Sequence, residues 1–194
     1  MKGKASAWLA LKLIFGITLI AALTLWTYHG TTENSFVWDS VQYVINHVFY
    51  LSNLAADNII WMFLSLEVVN WHPLTWLSWA VDSQIYGGLV ASGFHLSNNI
   101  YHAINSVLVF ALTLVVFGLN TAGLKGYPIR TDNNALLAAL VAAALFAVHP
   151  QHVESVAWIA ERKDLLCLMF LLLSMLAYAG YASCREGLRS VGTI

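Results

Sequence analysis

Charged residues are scarce in this chain of 194 residues. Lysine, arginine, aspartate and glutamate together make up 10 % of it, whereas a soluble domain usually carries about 25 %. The mean hydropathy is correspondingly high, at +0.70. The shortage of charge excludes an ordinary soluble domain and indicates an integral membrane protein. A chain of this length has room for about four membrane-spanning helices and one large loop.

Cysteines, basic runs and repeats are also scarce or missing. The two cysteines, Cys167 and Cys184, belong to the last apolar helix and its end, and we interpret them as ordinary small residues rather than a disulfide or a metal-binding pair. The net charge of −1 and the lack of a basic run argue against nucleic acid as a partner. No tandem repeat is visible. The expected partners are therefore membrane lipids and other membrane protein chains.

Four apolar segments predict four spans, because each residue of a helix advances about 1.5 Å across roughly 30 Å of hydrocarbon. They cover residues 7–28, 94–119, 134–148 and 165–182. A signal peptide is the alternative for the first segment, since Lys2 and Lys4 precede it. The run is long and no small-x-small cleavage site follows, which favours a retained span. The predicted fold is all-α, a single integral membrane domain over residues 1–194.

The segment 29–93 is predicted to be an extracytoplasmic loop between the first two spans. Its apolar spacing predicts short helices over 41–51, 58–69 and 74–86, with Pro73 at the start of the last. Five of the eight tryptophans fall in this loop, and tryptophan favours the headgroup layer of a bilayer. We expect these helices to be interfacial.

Basic residues set the expected orientation. Arg162 and Lys163 fall in a second predicted outer loop, 149–164, and the other seven basic residues fall on the opposite side of the four-span arrangement. Those seven are Lys2, Lys4, Lys12, Lys125, Arg130, Arg185 and Arg189. Because cytoplasmic loops carry the excess of lysine and arginine, both termini are expected to be cytoplasmic.

Asp39 lies in the sequence Trp38-Asp39-Ser40, just before a predicted helix. One interpretation is a helix N-cap, in which Asp39 or Ser40 bonds a free backbone N–H. The other is a carboxylate outside the first span that activates an acceptor hydroxyl or holds a metal ion. One residue could serve both purposes, so the residues alone leave both interpretations open.

Residues 70–79 contain three tryptophans and a His-Pro pair. Here Pro73 suits the first turn of a helix, and His72 either sits in the headgroup layer or forms a wall of a binding site. A polar stripe follows in the second span, at three- and four-residue steps that share one helix face. Its members are His95, Asn98, Asn99, His102, Asn105 and Ser106. Polar groups at this depth either bond helices to one another or line a substrate cavity.

The second outer loop carries the last candidates. His149, His152 and Glu154 resemble a metal-binding cluster, but no four-ligand spacing is evident and no cysteine joins them, which argues against a structural zinc. The tetrapeptide 161–164 contains two acidic and two basic residues that could neutralise one another. Alternatively, Arg162 and Lys163 bind an anion such as a lipid phosphate.

Taken in order, residues 70–78, 95–105 and 149–164 resemble motifs in the membrane part of the GT-C superfamily of glycosyltransferases. The likeness is to bacterial relatives of the transmembrane O-mannosyltransferases that carry tetratricopeptide repeats, and it covers nearly the whole chain. The resemblance implies a polyprenyl- or dolichyl-phosphate sugar donor, an acceptor entering from the outer side and, for the metal-dependent case, a divalent cation. It places the catalytic acid at Asp39 and lipid-phosphate contacts at Arg162 and Lys163. It also implies the bacterial inner membrane as the location.

Two departures from the family shape the expected function. Family members usually show two acidic residues where this chain has Asp39 and Ser40, and their membrane region has many more spans. We therefore expect a non-catalytic accessory subunit of a larger membrane assembly. The alternative is an active glycosyltransferase in which Asp39 is the base or a metal ligand. Its expected substrate-binding residues are His72, His95, Asn98, His102, Glu154, Arg162 and Lys163.

Overall fold

The computed structural model describes residues 2–67, 70–122 and 132–191, and every regular element in those ranges is helical. Single 3₁₀ or π turns connect several of the α-helices. The α-helices in these ranges are α1 (Lys2–Tyr28), α2 (Val48–Leu51), α3 (Ala56–Leu64), α4 (Pro73–Tyr86), α5 (Ala91–Ala122), α6 (Asn133–Val148), α7 (Val153–Ala157) and α8 (Arg162–Val191).

Three helical segments are long and apolar enough to cross a membrane, namely Ala7–Glu33, Ala91–Gly118 and Ile159–Ala182. A fourth crossing exists if Asn133–Val148 and Pro150–Ala157, which are bent by 47°, form one broken span. Alone, the 16 residues of α6 extend only about 24 Å, short of the roughly 30 Å of hydrocarbon. The prediction of a helical integral membrane chain is confirmed for the described residues. Of the four predicted spans, three are long enough to cross on their own, and the one over 134–148 does so only if the bent pair is counted as one span.

Helix α4 begins and ends where its sequence requires. Pro73 occupies the first turn, where its missing N–H costs no hydrogen bond. Gly87 follows the last residue with φ of 73°, and its backbone N–H bonds to the Ser83 carbonyl. This left-handed conformation suits glycine, which has no Cβ to clash. The helix predicted over 74–86 is confirmed within one residue.

The helix predicted over 41–51 is wrong as one element. The structure has a π-helical turn at Val41–Ile45 and then the short helix α2. At the break, His47 leaves the helical region with φ of −110°, and its Nδ1 lies 2.8 Å from the Gln42 carbonyl oxygen. Such side-chain contacts with nearby backbone compete with a continuous helix.

The helix predicted over 58–69 starts and ends earlier in the structure, as α3. Ser65 adopts an extended backbone directly after this helix. Its hydroxyl then accepts a hydrogen bond from the Glu67 backbone N–H, at 3.1 Å. The last two predicted residues, 68 and 69, lie outside the described ranges.

Contacts divide the chain into two compact units, which are described separately. One comprises Met1–Thr24, Ala103–Val148 and Leu168–Ile194, and we name it the alanine-packed unit. The other comprises Leu25–His102 and His149–Cys167, and we name it the motif unit. The single membrane domain predicted for residues 1–194 stays a prediction.

The alanine-packed unit buries a row of small side chains along α6. Four alanines at four-residue steps are almost completely inaccessible; they are Ala135, Ala139, Ala143 and Ala147. Ala139 and Ala143 pack with Ile20, Phe110 and Leu114. Small residues let helix backbones approach closely inside a membrane, where van der Waals packing holds helices together.

The motif unit has an aromatic core. Trp76, Trp79 and Phe94 are fully buried in it. They pack with Met62 of α3 and with Ile159, which lies before α8. This core supports the polar side chains from which the candidate site is built.

Candidate functional site

The predicted motifs lie together in the motif unit. It contains Trp38-Asp39-Ser40, residues 70–79, the stripe from His95 to His102, and residues 149–164. Asn105 and Ser106, the last two members of the predicted stripe, belong to the alanine-packed unit. Four stretches far apart in sequence thus contribute to one compact part of the molecule.

Arg162 is the charged centre of the motif unit. Its side chain is 0 % exposed, and its Nη1 lies 2.6 Å from Asp82 Oδ2. The guanidinium also donates through Nε to Asn98 Oδ1 at 2.7 Å, through Nη2 to the Phe94 carbonyl at 2.8 Å, and through Nη1 to Ser78 Oγ at 3.3 Å. All three guanidinium nitrogens therefore donate to partners inside the protein.

Asp82, the partner of Arg162, was missed by the sequence analysis. Its other oxygen accepts a hydrogen bond from Ser97 Oγ at 2.7 Å. Burial raises the pKa of Asp82, and the Arg162 guanidinium and the Ser97 hydroxyl pull it back down. We treat the pair as ionised, because an unpaired buried guanidinium would be strongly unfavourable.

A signal for Asp82 was present in the sequence. Thr75, Ser78 and Asp82 follow one another at three- and four-residue steps along α4, so they share one face of that helix. All three are buried. A buried carboxylate on this face requires a cation as its partner. Residues 29–124 contain no lysine or arginine, and residues 149–164 contain only Arg162 and Lys163.

Asn98 connects this ion pair to the turn after α7. Its Nδ2 donates to the carbonyl oxygens of Val156, at 3.1 Å, and Trp158, at 3.4 Å. The neighbouring Asn99 donates from Nδ2 to the Tyr28 carbonyl at 3.0 Å. Both amides therefore bond one segment of the motif unit to another, which favours the structural interpretation of this part of the stripe over a substrate cavity.

The surroundings of Arg162 differ from those expected for a lipid-phosphate ligand. A side chain with no exposed surface and internal partners on every nitrogen cannot reach a phosphate without breaking the buried pair. The burial of Arg162 argues against the predicted substrate contact at this residue, which stays a prediction. The same geometry overturns the idea that residues 161–164 neutralise only one another, since Arg162 pairs with Asp82.

Lys163 differs sharply from its neighbour. Its side chain is 38 % exposed, and its Nζ lies 2.7 Å from Glu161 Oε1. Asp164 instead accepts a hydrogen bond from Ser155 Oγ at 3.2 Å. Exposed ion pairs of the Lys163–Glu161 kind are weak and exchange partners readily. Lys163 is thus the basic residue of this segment that an external anion can reach.

His72 stands at the edge of an aromatic cluster. Its ring stacks on Trp76 at 5.2 Å and lies 5.2 Å from Tyr43 and 5.9 Å from Trp79. Burial lowers the pKa of His72; its backbone hydrogen bond opposes the shift, and the charge of Lys163 adds to it. His72 is therefore neutral at pH 7 and lies within electrostatic reach of Lys163.

Asp39 is exposed, and the described part of the chain gives its carboxylate neither a hydrogen bond nor an ion pair. Ser40 occupies the N-cap position of the π turn but is buried, and its Oγ makes no hydrogen bond. The N-cap interpretation of these two residues is therefore wrong. Trp38 has an unusual positive φ of 50°, which places it in the left-handed region.

Three of the candidate histidines, His102, His149 and His152, form a row of rings with Tyr28. Tyr28 and His102 are 5.1 Å apart, His102 and His152 are 5.3 Å apart, and His152 and His149 are 5.9 Å apart. In the described residues no group of three or more His, Cys, Asp or Glu side chains could hold a metal ion. His149 Nδ1 instead accepts a hydrogen bond from the Gln151 backbone N–H at 3.3 Å.

Two predicted substrate contacts have opposite surroundings. His95 is almost completely buried within α5, at 1 % exposure, whereas Glu154 is exposed in the first turn of α7.

A shallow cleft of about 270 Å³ lies elsewhere in the motif unit, and no predicted site residue lines it. Its lining residues are Val48, Ser52, Ser83, Gln84, Gly87, Gly88 and Leu89.

Together these features define an integral membrane protein, helical throughout the described ranges, whose motif unit holds both a buried ion pair and exposed polar residues. The chain is 31 % identical to protein O-mannosyl-transferase TMTC4 of Homo sapiens in an alignment of 189 positions. The alignment covers 89 % of this chain and 24 % of that protein. It is 30 % identical to protein O-mannosyl-transferase Tmtc1 of Drosophila melanogaster in an alignment of 192 positions. That alignment covers 93 % of this chain and 20 % of that protein.

A third relative is protein O-mannosyl-transferase Tmtc2 of Drosophila melanogaster, with 35 % identity over 117 residues, 60 % of this chain and 11 % of that protein. The chain thus spans at most about a quarter of the length of these relatives. No family model and no solved structure matches it. The chain is a glycosyltransferase-like membrane protein, which confirms the resemblance in its broad form. These relatives are animal proteins, and the bacterial branch of the resemblance stays a prediction.

Proposed function

We propose that this chain is a membrane part of a GT-C-type glycosyltransferase that moves a mannosyl group from a polyprenyl- or dolichyl-phosphate donor to a protein hydroxyl. The acceptor would enter from the extracytoplasmic side. The main support is the gathering of four motifs in one compact unit, in a chain similar to O-mannosyltransferases over 89 % of its length.

In the proposed reaction Asp39 takes the proton of the acceptor hydroxyl. The acceptor oxygen then bonds to the anomeric carbon of the sugar, the bond from that carbon to the phosphate oxygen breaks, and the polyprenyl phosphate leaves with the electron pair. An exposed carboxylate that accepts no hydrogen bond from the described residues suits a general base, since its oxygens are open to the acceptor's hydroxyl group.

Lys163 is the proposed contact for the donor phosphate. It would exchange Glu161 for the phosphate oxygens, which an exposed ion pair permits at small cost. Neutral His72 lies within electrostatic reach of Lys163, and we include it among the residues beside the donor phosphate.

A divalent cation fits these residues poorly. Ser40 stands where the family usually has a second acidic residue, and no metal-holding group of three or more side chains is found among residues 2–67, 70–122 and 132–191. We therefore derive no step through a metal ion.

Turnover by the purified protein tests this proposal. Incubated with a polyprenyl-phosphate mannose and an acceptor peptide, it should transfer mannose, and Asp39→Asn should lower the rate about 100-fold or more, as expected for loss of a general base. Asp57→Asn is the matched control, since Asp57 is also an exposed acidic residue of the motif unit. Equal rates for Asp39→Asn and the control would exclude Asp39 as the base.

A non-catalytic accessory subunit is the second candidate. One observation favours it: both basic residues of the motif unit already have acidic partners, Arg162 with Asp82 and Lys163 with Glu161. This function predicts co-purification with another membrane chain at fixed stoichiometry, and an Asp39→Asn variant that behaves like the parent. Turnover by this chain alone would remove it.

We also propose the orientation with both termini in the cytoplasm. It is supported by the seven basic residues on one predicted side of the membrane. In the alanine-packed unit, Lys12 Nζ donates to Asn133 Oδ1 at 2.9 Å, so two polar residues assigned to that side meet. The bacterial inner membrane is the location that the resemblance suggests for this arrangement.

A further inference from the structure

We propose that the contact between Trp38 and Trp158 is a positioning device that fixes the direction of the Asp39 carboxylate. The inference rests on the proposed function, because it assigns Trp38 and Trp158 a role in the reaction through Asp39. Neither tryptophan needs to touch the substrate for this role.

The first observation is the backbone of Trp38. In the described residues it is the one non-glycine residue with a positive φ. For a bulky side chain this conformation is unfavourable, and it persists only where the surroundings hold it. Burial is not what holds Trp38, because its side chain is 77 % exposed.

The second observation is the ring that Trp38 contacts. Its indole meets the Trp158 indole edge to face, with centroids 5.5 Å apart and planes at 84°. This geometry is the favourable one for an aromatic pair. The contact therefore supplies an interaction that compensates part of the strain at Trp38.

The third observation is that Trp158 is held from behind by the buried ion pair. Asn98 donates to the carbonyl oxygens of Val156 and Trp158. The same Asn98 accepts from Arg162, which pairs with Asp82. An unbroken series of polar contacts thus leads from a fully buried charge to the turn that carries the Trp158 ring.

The conformation of Trp38 bears directly on the two residues that follow it, Asp39 and Ser40. Asp39 is exposed, whereas Ser40 is buried at 1 % exposure and starts the π turn. The left-handed residue directly before them sets the direction in which the chain enters this turn. If Trp38 relaxed to an ordinary backbone conformation, Asp39 and Ser40 would change direction together.

The first test reads the position of residue 39 without any activity. In a Cys167→Ser, Cys184→Ser background, an Asp39→Cys protein is labelled with a hydrophilic maleimide. We expect Trp158→Ala to change the labelling rate about threefold or more, the size expected from loss of one aromatic pair. Trp158→Phe, which keeps an aromatic ring, should stay near the parent rate.

Trp26→Ala is the matched control, because Trp26 is another exposed tryptophan of the motif unit, at 73 % exposure. Melting temperatures show whether each variant is folded, and Trp38→Ala tests the contact from its exposed side. Parent-like labelling of folded Trp158→Ala and Trp38→Ala proteins would overturn the proposal. So would an equal change in Trp26→Ala.

The second test reads catalysis. Trp158→Ala should lower kcat of mannosyl transfer about tenfold or more and leave KM for the donor unchanged, as expected when a reacting group is misplaced. In an Asp39→Asn background it should cause no further loss, because both changes act through the same carboxylate. Additive losses would overturn the proposal. A parent without transfer activity would contradict the proposed function, while the labelling rates still decide whether the two tryptophans position residue 39.

Discussion

The two units of this molecule are stabilised by different kinds of buried residue. The alanine-packed unit places Ala139 and Ala143 against apolar side chains of other helices. The motif unit buries a complete ion pair, Arg162 with Asp82, and the amide of Asn98 beside it. Small-residue packing is the general means by which membrane helices associate. Buried charges are costly unless they are paired and hydrogen-bonded, as Arg162 and Asp82 are here.

The specific chemistry of this chain lies in the motif unit, where charged and polar side chains are buried. Substitutions in the alanine-packed unit should act through volume alone. Substitutions in the motif unit should act through charge and hydrogen bonding, and they should affect exposed residues such as Asp39 and Lys163 at a distance. Three predictions test this difference.

The largest expected effect comes from breaking the ion pair. Arg162→Met leaves Asp82 buried without its partner, which should destabilise the protein by about 3–5 kcal/mol. The control is Lys163→Met, where loss of an exposed pair should cost at most about 1 kcal/mol. Chemical unfolding in detergent measures both. Equal losses in the two variants would mean that the adjacent basic residues play equivalent structural roles, contrary to the geometry.

Overpacking the alanine-packed unit should have the next largest effect. A Cβ at Gly16 would lie 2.9 Å from Phe110 Cζ and 3.4 Å from Leu140 Cδ2, so Gly16→Leu should cost about 1–3 kcal/mol. Gly180 lies in a helix of the same unit with nothing within 4 Å of an added Cβ. Gly180→Ala should be neutral or slightly stabilising. A tolerated Gly16→Leu would show that this packing is loose.

The smallest expected effect is a pH dependence at His72. Burial lowers the pKa of His72 from its ordinary value of 6.5, so the unfolded chain binds this proton more readily than the folded one. The stability from this group is therefore present above about pH 6.5 and is lost as the pH falls through that value. Melting temperatures between pH 7.5 and about pH 5 should fall less for His72→Phe than for the parent.

The control for this measurement is His29→Phe, which replaces an exposed histidine of the same unit. It removes an exposed ring and so shows what the loss of a histidine from this unit does by itself to the measured slope. A His72→Phe protein with an unchanged slope would show that protonation of His72 is not linked to folding.

The sequence predicted helices well where a proline, a glycine or a long apolar run determines the backbone conformation. Pro73 and the glycine after Tyr86 mark both ends of α4, and uninterrupted apolar runs predicted the spans. The break at His47 was missed, because a regular apolar spacing continues across it. A contact between His47 and the Gln42 carbonyl stands at that break, and spacing does not report such contacts.

Most residues of the candidate site could be named from the sequence, but the residues that they contact could not. Residues 149–164 and Asp39 were recognised, yet the partner of Arg162 lies 80 positions away in the sequence, at Asp82. Nothing local distinguishes Arg162 from Lys163, and only the fold decides that one is buried and the other exposed. The left-handed conformation of Trp38 was equally hidden, since it depends on a distant ring at Trp158.

The central claim, that the motif unit receives the donor, is tested most directly by photo-crosslinking. A polyprenyl-phosphate probe with its photoreactive group beside the phosphate is added to the purified protein, and the labelled peptides are mapped. We expect adducts within Leu25–His102 or His149–Cys167 that unlabelled donor displaces and that Lys163→Met weakens. Displaceable adducts confined to the alanine-packed unit, or labelling indifferent to Lys163, would contradict it.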